Sequence, residues 1–401
     1  MNTTIRSRVF NLVIAINLIA YSGTTLLTNT IWAFIAIATT LVFILASRAN
    51  PADKTGWLLP ISVCLVCWLS VSLSYLVSDS TTSSFYMTGI TLSALFLSSY
   101  VNSFSALVPG IVIAGIAVLC LSLYWAARYP ELGLSQGYWQ SGALQGIFPH
   151  KNSFGLFMLI AYSGQMQRVW STASRKIPNA FLSVIFASAV FASRSANCII
   201  ILVLVTVLAV IGLIRFKSKN LVIALLAISA MLILYQGSAF SPIFQSLGRD
   251  ESLTGRTEIW NATFDVFSKS PILGWGWGGV WNDASPIAEL IRASVGFPVT
   301  EAHNAILDSM VQIGLVGSSL ILVTLGVAFI KAKGGERFGW TFGSRWMLGV
   351  IFVHSITEAT LDRPLGWFIV CSISGLLLRG NSGNLNLETG EEFNSSTLVP
   401  S

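Results

Sequence analysis

Charged residues are scarce in this chain: Asp, Glu, Lys and Arg together make up 10% of its 401 residues. A soluble domain carries about a quarter. That scarcity, with a mean hydropathy of +0.72, excludes an ordinary water-soluble globule. Paired cysteines are missing as well. All five (Cys64, Cys67, Cys120, Cys198 and Cys371) fall inside apolar runs, so no disulfide framework is expected. The Cys64-x-x-Cys67 spacing lacks a second ligand pair and lies mid-segment, so it reads as small-residue packing and not as zinc binding. The first outer loops hold no clustered acidic residues of the kind oxygen-loving divalent cations need, and no metal or other cofactor is expected. The net charge of +6 does not gather on one face, which excludes a nucleic-acid partner.

What the chain has in abundance is long apolar runs. A helix crossing a bilayer needs roughly 20 such residues. Twelve segments are expected, near 9–27, 31–47, 57–77, 85–101, 105–125, 152–167, 178–193, 196–214, 220–238, 304–330, 344–360 and 364–379. The fold class is therefore an all-α polytopic membrane bundle, a single transmembrane domain over 1–379 with membrane lipids as neighbours. The first segment, behind Arg6 and Arg8, is read as a retained helix and not a cleaved leader. Residues 380–401 are polar, rich in Gly, Ser and Asn, and are expected to form a disordered cytoplasmic tail.

Basic residues orient the bundle. With the N-terminus inside, 15 of the 23 Lys and Arg residues fall in inner loops or tails, so both termini are expected in the cytoplasm. The other eight, Arg128, Lys151, Arg194, Arg249, Arg256, Lys269, Arg292 and Arg363, fall on the outer face, where orientation gives them no role. The same face receives His150, His303, Glu258, Glu301 and Asp362 in or beside two long outer loops, 126–151 and 239–303.

Four short motifs mark that boundary. In HKNSFG, His150 and Lys151 open the sixth segment, where helix N–H groups attract anions; Lys151 either serves such an anion or snorkels to headgroups. In SRSAN, Arg194 sits in a tight outer turn and needs water, lipid phosphate or a bound anion. In GRTEIW, Glu258 suits the first turn of an amphipathic helix, with Thr254 as cap and Ile259, Phe264, Val266 and Phe267 as its apolar face. Arg256 opposes the helix dipole there and points to an anionic partner. In TEAHNAIL, His303 stands among Glu301, Asn304 and Asp308; a helix N-terminus should depress its basicity and leave a neutral general base. His354 and Glu358, four apart, read as a structural ion-pair cluster. The glycine stretch GWGWGG breaks regular structure, and Trp275 and Trp277 offer faces on which sugars stack.

In this order and spacing, SRSAN, GRTEIW with ILGWGWG, and AHNAIL resemble the O-antigen ligase and polymerase superfamily of bacterial envelopes. HKNSFG is similar to the exopolysaccharide-polymerase branch. The resemblance implies a metal-independent, inverting glycosyl transfer at the periplasmic face of the inner membrane. The donor would be an undecaprenyl-diphosphate-linked glycan, and the acceptor a glycan or lipid A core. Arg194 and Arg256, aided by Lys151, would hold the diphosphate; His303 would take the acceptor proton; His150, Glu258, Glu301 and Asn304 would support them. Polymerisation is favoured over ligation by the HKN motif. A transporter or flippase for a lipid-linked sugar is the reading from another class, weakened because segments two to nine carry no ionisable residue at their centres.

Overall fold

The computed structural model describes residues 3–47, 57–72, 77–101, 103–136, 141–171, 176–212, 255–332 and 343–377. The expected ninth segment, the Thr254 cap, Arg249 and the tail from 380 lie outside the described residues. Among the described residues the regular structure is helical, apart from one isolated bridge between Leu134 and Leu144.

The helices are α1 (Thr3–Ala20), α2 (Asn29–Ser47), α3 (Leu58–Ser72), α4 (Val77–Ser98), α5 (Val108–Arg128), the single turn α6 (Pro130–Gly133), α7 (Lys151–Ser171), α8 (Lys176–Ala192) and α9 (Ala196–Gly212). They continue with α10 (Gly255–Phe267), α11 (Pro286–Val295), α12 (Ala305–Lys331), α13 (Ser344–Ser355) and α14 (Pro364–Leu377). Asn29–Ser47, Phe104–Arg128 and Ala305–Lys331 are long and apolar enough to cross a bilayer. Shorter apolar helices accompany them, including Leu58–Ser72, Ile177–Ala192 and Pro364–Leu377. This is a helical membrane protein, and its outward apolar side chains, such as Phe34, Leu45, Leu65 and Phe181, are those a lipid solvent tolerates.

Two expectations are corrected here. SDSTTSSF, which fills the gap expected between the third and fourth segments, forms the start of α4. Its Ser80 and Ser84 are fully buried, so polar side chains on that turn meet protein and not water. Helix α13 stops at Ser355, leaving Glu358 in a turn; His354 and Glu358 therefore do not share a helix face.

Packing builds one core. Helix α1 lies against α2 and α5, α5 against α7, α7 against α8, and α14 against α4. A second, smaller core caps it at one end, where Ile259, Val266 and Phe267 of α10 meet Ile287 and Ile291 of α11 and Val311 of α12. Phe264, expected on that buried face, is instead half exposed.

The cap is joined to the bundle through a break in α12. Gly314 has φ 65° and ψ −170°, which removes it from the helix. A bilayer offers no water to satisfy the freed backbone groups. The segment after α10 satisfies them: Trp275 and Gly276 donate to the carbonyls of Val311 and Gln312 at 2.9 Å, and the amides of Leu315 and Val316 donate to Pro271 and Ile272 at 2.8 and 3.2 Å. The close approach needs glycine on both sides, because a Cβ on Gly314 would overlap the Ile272 carbonyl and one on Gly274 the Gln312 backbone. Trp277 is thereby buried in the bundle core, with its N–H on Ser70 Oγ, and the reading of this residue as a sugar-stacking face is corrected. Trp275 packs on the cap core and donates from Nε1 to the Val266 carbonyl.

Candidate active site

Five elements bring their ends together at one end of the bundle: the N-termini of α7, α10 and α12, the turn between α8 and α9, and the turn between α13 and α14. Their centre is Glu358, a residue with an 8% exposed side chain. Its Oε1 accepts from Arg256 Nη2 at 3.0 Å and from Asn152 Nδ2 at 2.9 Å. Its Oε2 lies 3.1 Å from His303 Nδ1. Arg256 is further fixed by donating from Nη1 to the Thr357 carbonyl at 2.7 Å.

His303 is approached by a second carboxylate, Glu301 Oε1, at 3.0 Å from the same Nδ1. Glu301 in turn receives Arg363 Nη2 at 3.1 Å, and that guanidinium also lies 3.6 Å from Asp308 Oδ2. Asn304 caps α12, its Oδ1 accepting from the amides of Ile306 and Leu307, while its Nδ2 donates to the Ile356 carbonyl. Every partner of the imidazole is thus itself held. Nε2 is the ring nitrogen that these contacts leave for a substrate.

The electrostatics reverse one expectation. Burial lowers the basicity of His303, but the hydrogen bonds and charges of Glu301 and Glu358 outweigh it and raise its pKa to about 9. The helix N-terminus does not make it a neutral base; two carboxylates keep it an imidazolium at neutral pH. Burial would raise the pKa of Glu358, yet its bond to His303 and the Arg256 charge hold it well below the usual carboxylate range. Asp362 behaves oppositely: burial first, then the neighbouring Asp308 charge, push its carboxyl well above that range. His150 lies at the mouth, where Nδ1 accepts the Asn152 N–H at 3.2 Å. Desolvation, reinforced by Lys151 and His303, lowers its pKa. A neutral ring whose Nδ1 is so occupied carries its proton on Nε2, so His150 is a donor into the site and not a base.

Lys151 is buried, and its Nζ donates to the Arg194 carbonyl at 3.0 Å. The Arg194 guanidinium itself is exposed and donates to the Ser141 carbonyl at 2.8 Å. The turn carrying Arg194 therefore joins the site through its backbone, with the side chain at its edge. Arg194 (φ 48°) and His303 (φ 50°) are the residues other than glycine with left-handed backbones among the described residues. Such conformations cost of order 1–3 kcal/mol and collect at functional sites.

The structure thus assembles Lys151, Arg256, His303, Glu301, Asn304 and His150, and places Arg194 beside them. Glu258 is not among them; it is exposed in the first turn of α10, where a carboxylate suits the dipole. Sequence reasoning missed Glu358 as the hub, along with Asn152 and Arg363. The signal available was Arg363, one of the eight cations that orientation left without a role, with Glu358 five positions before it.

Glu301, His303 and Glu358 each offer one ligand atom within 4.8 Å of the others, a spacing a divalent ion can use. Arg256 and Arg363 already neutralise those two carboxylates, so the donor set fits an ion-pair network better than a cation. Chemically, the arrangement offers a cationic floor, three helix N-termini and one imidazole clamped through Nδ1.

Residues 181–322 match the family model described as O-Antigen ligase. That span contains Arg194, Arg256, Glu301 and His303, while Lys151 and Glu358 lie outside it. The chain is also 25% identical over 293 residues to the exopolysaccharide production protein ExoQ of Rhizobium meliloti (strain 1021), covering 66% of this chain and 64% of that protein. The match therefore spans a little under two thirds of that relative's length.

Proposed function

We propose that this chain, which belongs with the O-antigen ligase and exopolysaccharide polymerase superfamily, transfers a glycan from an undecaprenyl-diphosphate carrier to a sugar hydroxyl at the periplasmic face of the inner membrane. The single observation that carries the reading is the clamped imidazole: His303, strained at φ 50°, with both Glu301 and Glu358 on Nδ1.

The donor's diphosphate lies over Arg256 and Lys151, at the N-termini of α10 and α7, with Arg194 at the rim. Arginine's planar fork and helix amides both suit phosphate oxygens. His150 adds an Nε2–H to a phosphate oxygen. The acceptor hydroxyl approaches Nε2 of the deprotonated fraction of His303, which is scarce at neutral pH and grows towards pH 9, gives up its proton there, and attacks the anomeric carbon. The bond from that carbon to the diphosphate oxygen breaks, and the negative charge leaves with the lipid carrier. Glu301 and Glu358 stabilise the imidazolium as it forms, the role a carboxylate plays behind a catalytic histidine. Attack from the face opposite the leaving group inverts the anomeric configuration. No step calls for a metal ion, because diphosphate is a good leaving group and the cations hold its charge.

Polymerisation of an exopolysaccharide or O-antigen is the form we favour, supported by HKNSFG and by the name of the relative. Ligation to lipid A core is the alternative within the same chemistry. The test is transfer by purified protein from a lipid-linked donor without a vesicle gradient. Product from wild type and none from His303→Ala supports the reading. Equal product from both removes His303 as the base, and movement of the donor across vesicles without transfer favours a flippase.

A further inference from the structure

The left-handed backbone of His303 needs an opposing restraint, and Ala302 in front of it is held by both its backbone N–H and its backbone carbonyl. Its N–H donates to Asp308 Oδ1 at 2.9 Å, and its carbonyl accepts from Trp260 Nε1 at 2.9 Å. The two grips come from different elements. Asp308 is fully buried in the first turn of α12, where its Oδ2 accepts from Gln312 Nε2 at 3.0 Å. Gln312 continues outward, its Oε1 accepting the Gly278 N–H at 2.8 Å. Trp260 stands on α10 beside Ile259, which is packed into the cap core. Neither Asp308 nor Trp260 makes a hydrogen bond to the imidazole.

We propose that Trp260 and Asp308 are positioning residues, a two-sided clamp on the backbone of Ala302 that presents His303 to Glu301 and Glu358. The inference rests on the role proposed above for His303. It gives the last residue of GRTEIW a reason: a Phe there fills the same space without an N–H. It also links GRTEIW to AHNAIL through the backbone of one residue. With either grip lost, residue 303 relaxes from its strained conformation and Nε2 moves relative to the acceptor, and a displacement of about 1 Å costs on the order of 10²-fold in rate.

The experiment uses full-length protein in lipid nanodiscs, comparing Trp260→Phe, Asp308→Ala and Asp308→Asn. Transfer kinetics are measured with varied lipid-linked donor, alongside amide hydrogen exchange of the 301–305 peptide. The clamp requires kcat to fall about 10-fold in Trp260→Phe and about 100-fold in Asp308→Ala, with donor KM within about threefold of wild type. Exchange of the peptide quickens in both. Asp308→Asn, which keeps an oxygen for the Ala302 N–H, recovers most of kcat. Unchanged exchange, or kcat and thermal stability falling together in all three variants, overturns the proposal. Should Asp308→Ala fail to insert, Trp260→Phe and Asp308→Asn decide it. Should the wild type transfer no glycan, the exchange measurement still judges the clamp while the reading of His303 falls.

Discussion

At the scale of single residues, protonation decides which of two roles His303 plays. Its pKa is raised to about 9, so the base form is scarce at neutral pH and fills as pH rises. As a general base it gives a kcat/KM that climbs from pH 7 towards 9 and then levels. As an imidazolium that merely holds the diphosphate it gives the reverse, a fall above 9. A pH profile of transfer separates the two. The same shift links to stability: a group with a raised folded pKa stabilises below its ordinary value of about 6.5, and the contribution is lost through about 9. The thermal midpoint of wild type should therefore drop between pH 7 and 10, and that of His303→Ala should drop less. Glu358→Gln should lower kcat/KM about 10²-fold or more, since it removes one carboxylate from Nδ1 and leaves the partly buried Arg256 without its anion. At Asp362, whose carboxyl burial and the Asp308 charge push well above the usual range, Asn is nearly isosteric, and Asp362→Asn should keep both transfer and melting temperature. The three cations and the histidine of the site were legible because each was out of place in an oily chain. Glu358 was not: its position four residues after His354 suggested a shared helix face, and only the stop of α13 at Ser355 turns it towards His303.

At the scale of elements, the sequence announced a break at GWGWGG but not what it was for. Glycine spacing reports backbone freedom; it does not say which neighbour approaches. The partner is the Gly314 turn of α12, some 40 positions downstream in the chain. Gly314→Ala should destabilise the protein by ~1–3 kcal/mol from the left-handed strain alone, with the overlap on Ile272 adding to it. Denaturant or thermal unfolding in detergent measures it, and Gly326→Ala, in an open stretch of the same helix, serves as the neutral comparison. Helix positions themselves were legible from apolar length. The start of α4 was not, because Ser and Thr side chains buried against other helices look, in sequence, like those of a loop.

At the scale of the whole molecule, the positive-inside pattern and the site agree on one geometry: residues 150, 256, 303 and 358 at one end of the bundle, Lys331 and Arg345 at the other. Single cysteines placed at the exposed positions Glu258 and Lys269, in a background lacking Cys120, should react with an impermeant maleimide added from outside. A cysteine at Lys331 should react only after permeabilisation, and the opposite pattern would invert the topology. Activity unaffected by EDTA would support the ion-pair reading of Glu301 and Glu358 over a metal centre. The cap and the bundle, finally, are sewn together by backbone at the break in α12, with Val311 of that helix seated in the cap's own core. The outer region is therefore no detachable module. Cut away as a soluble fragment it would lack part of its interior, and in the intact protein it should melt in a single transition with the helices beneath it.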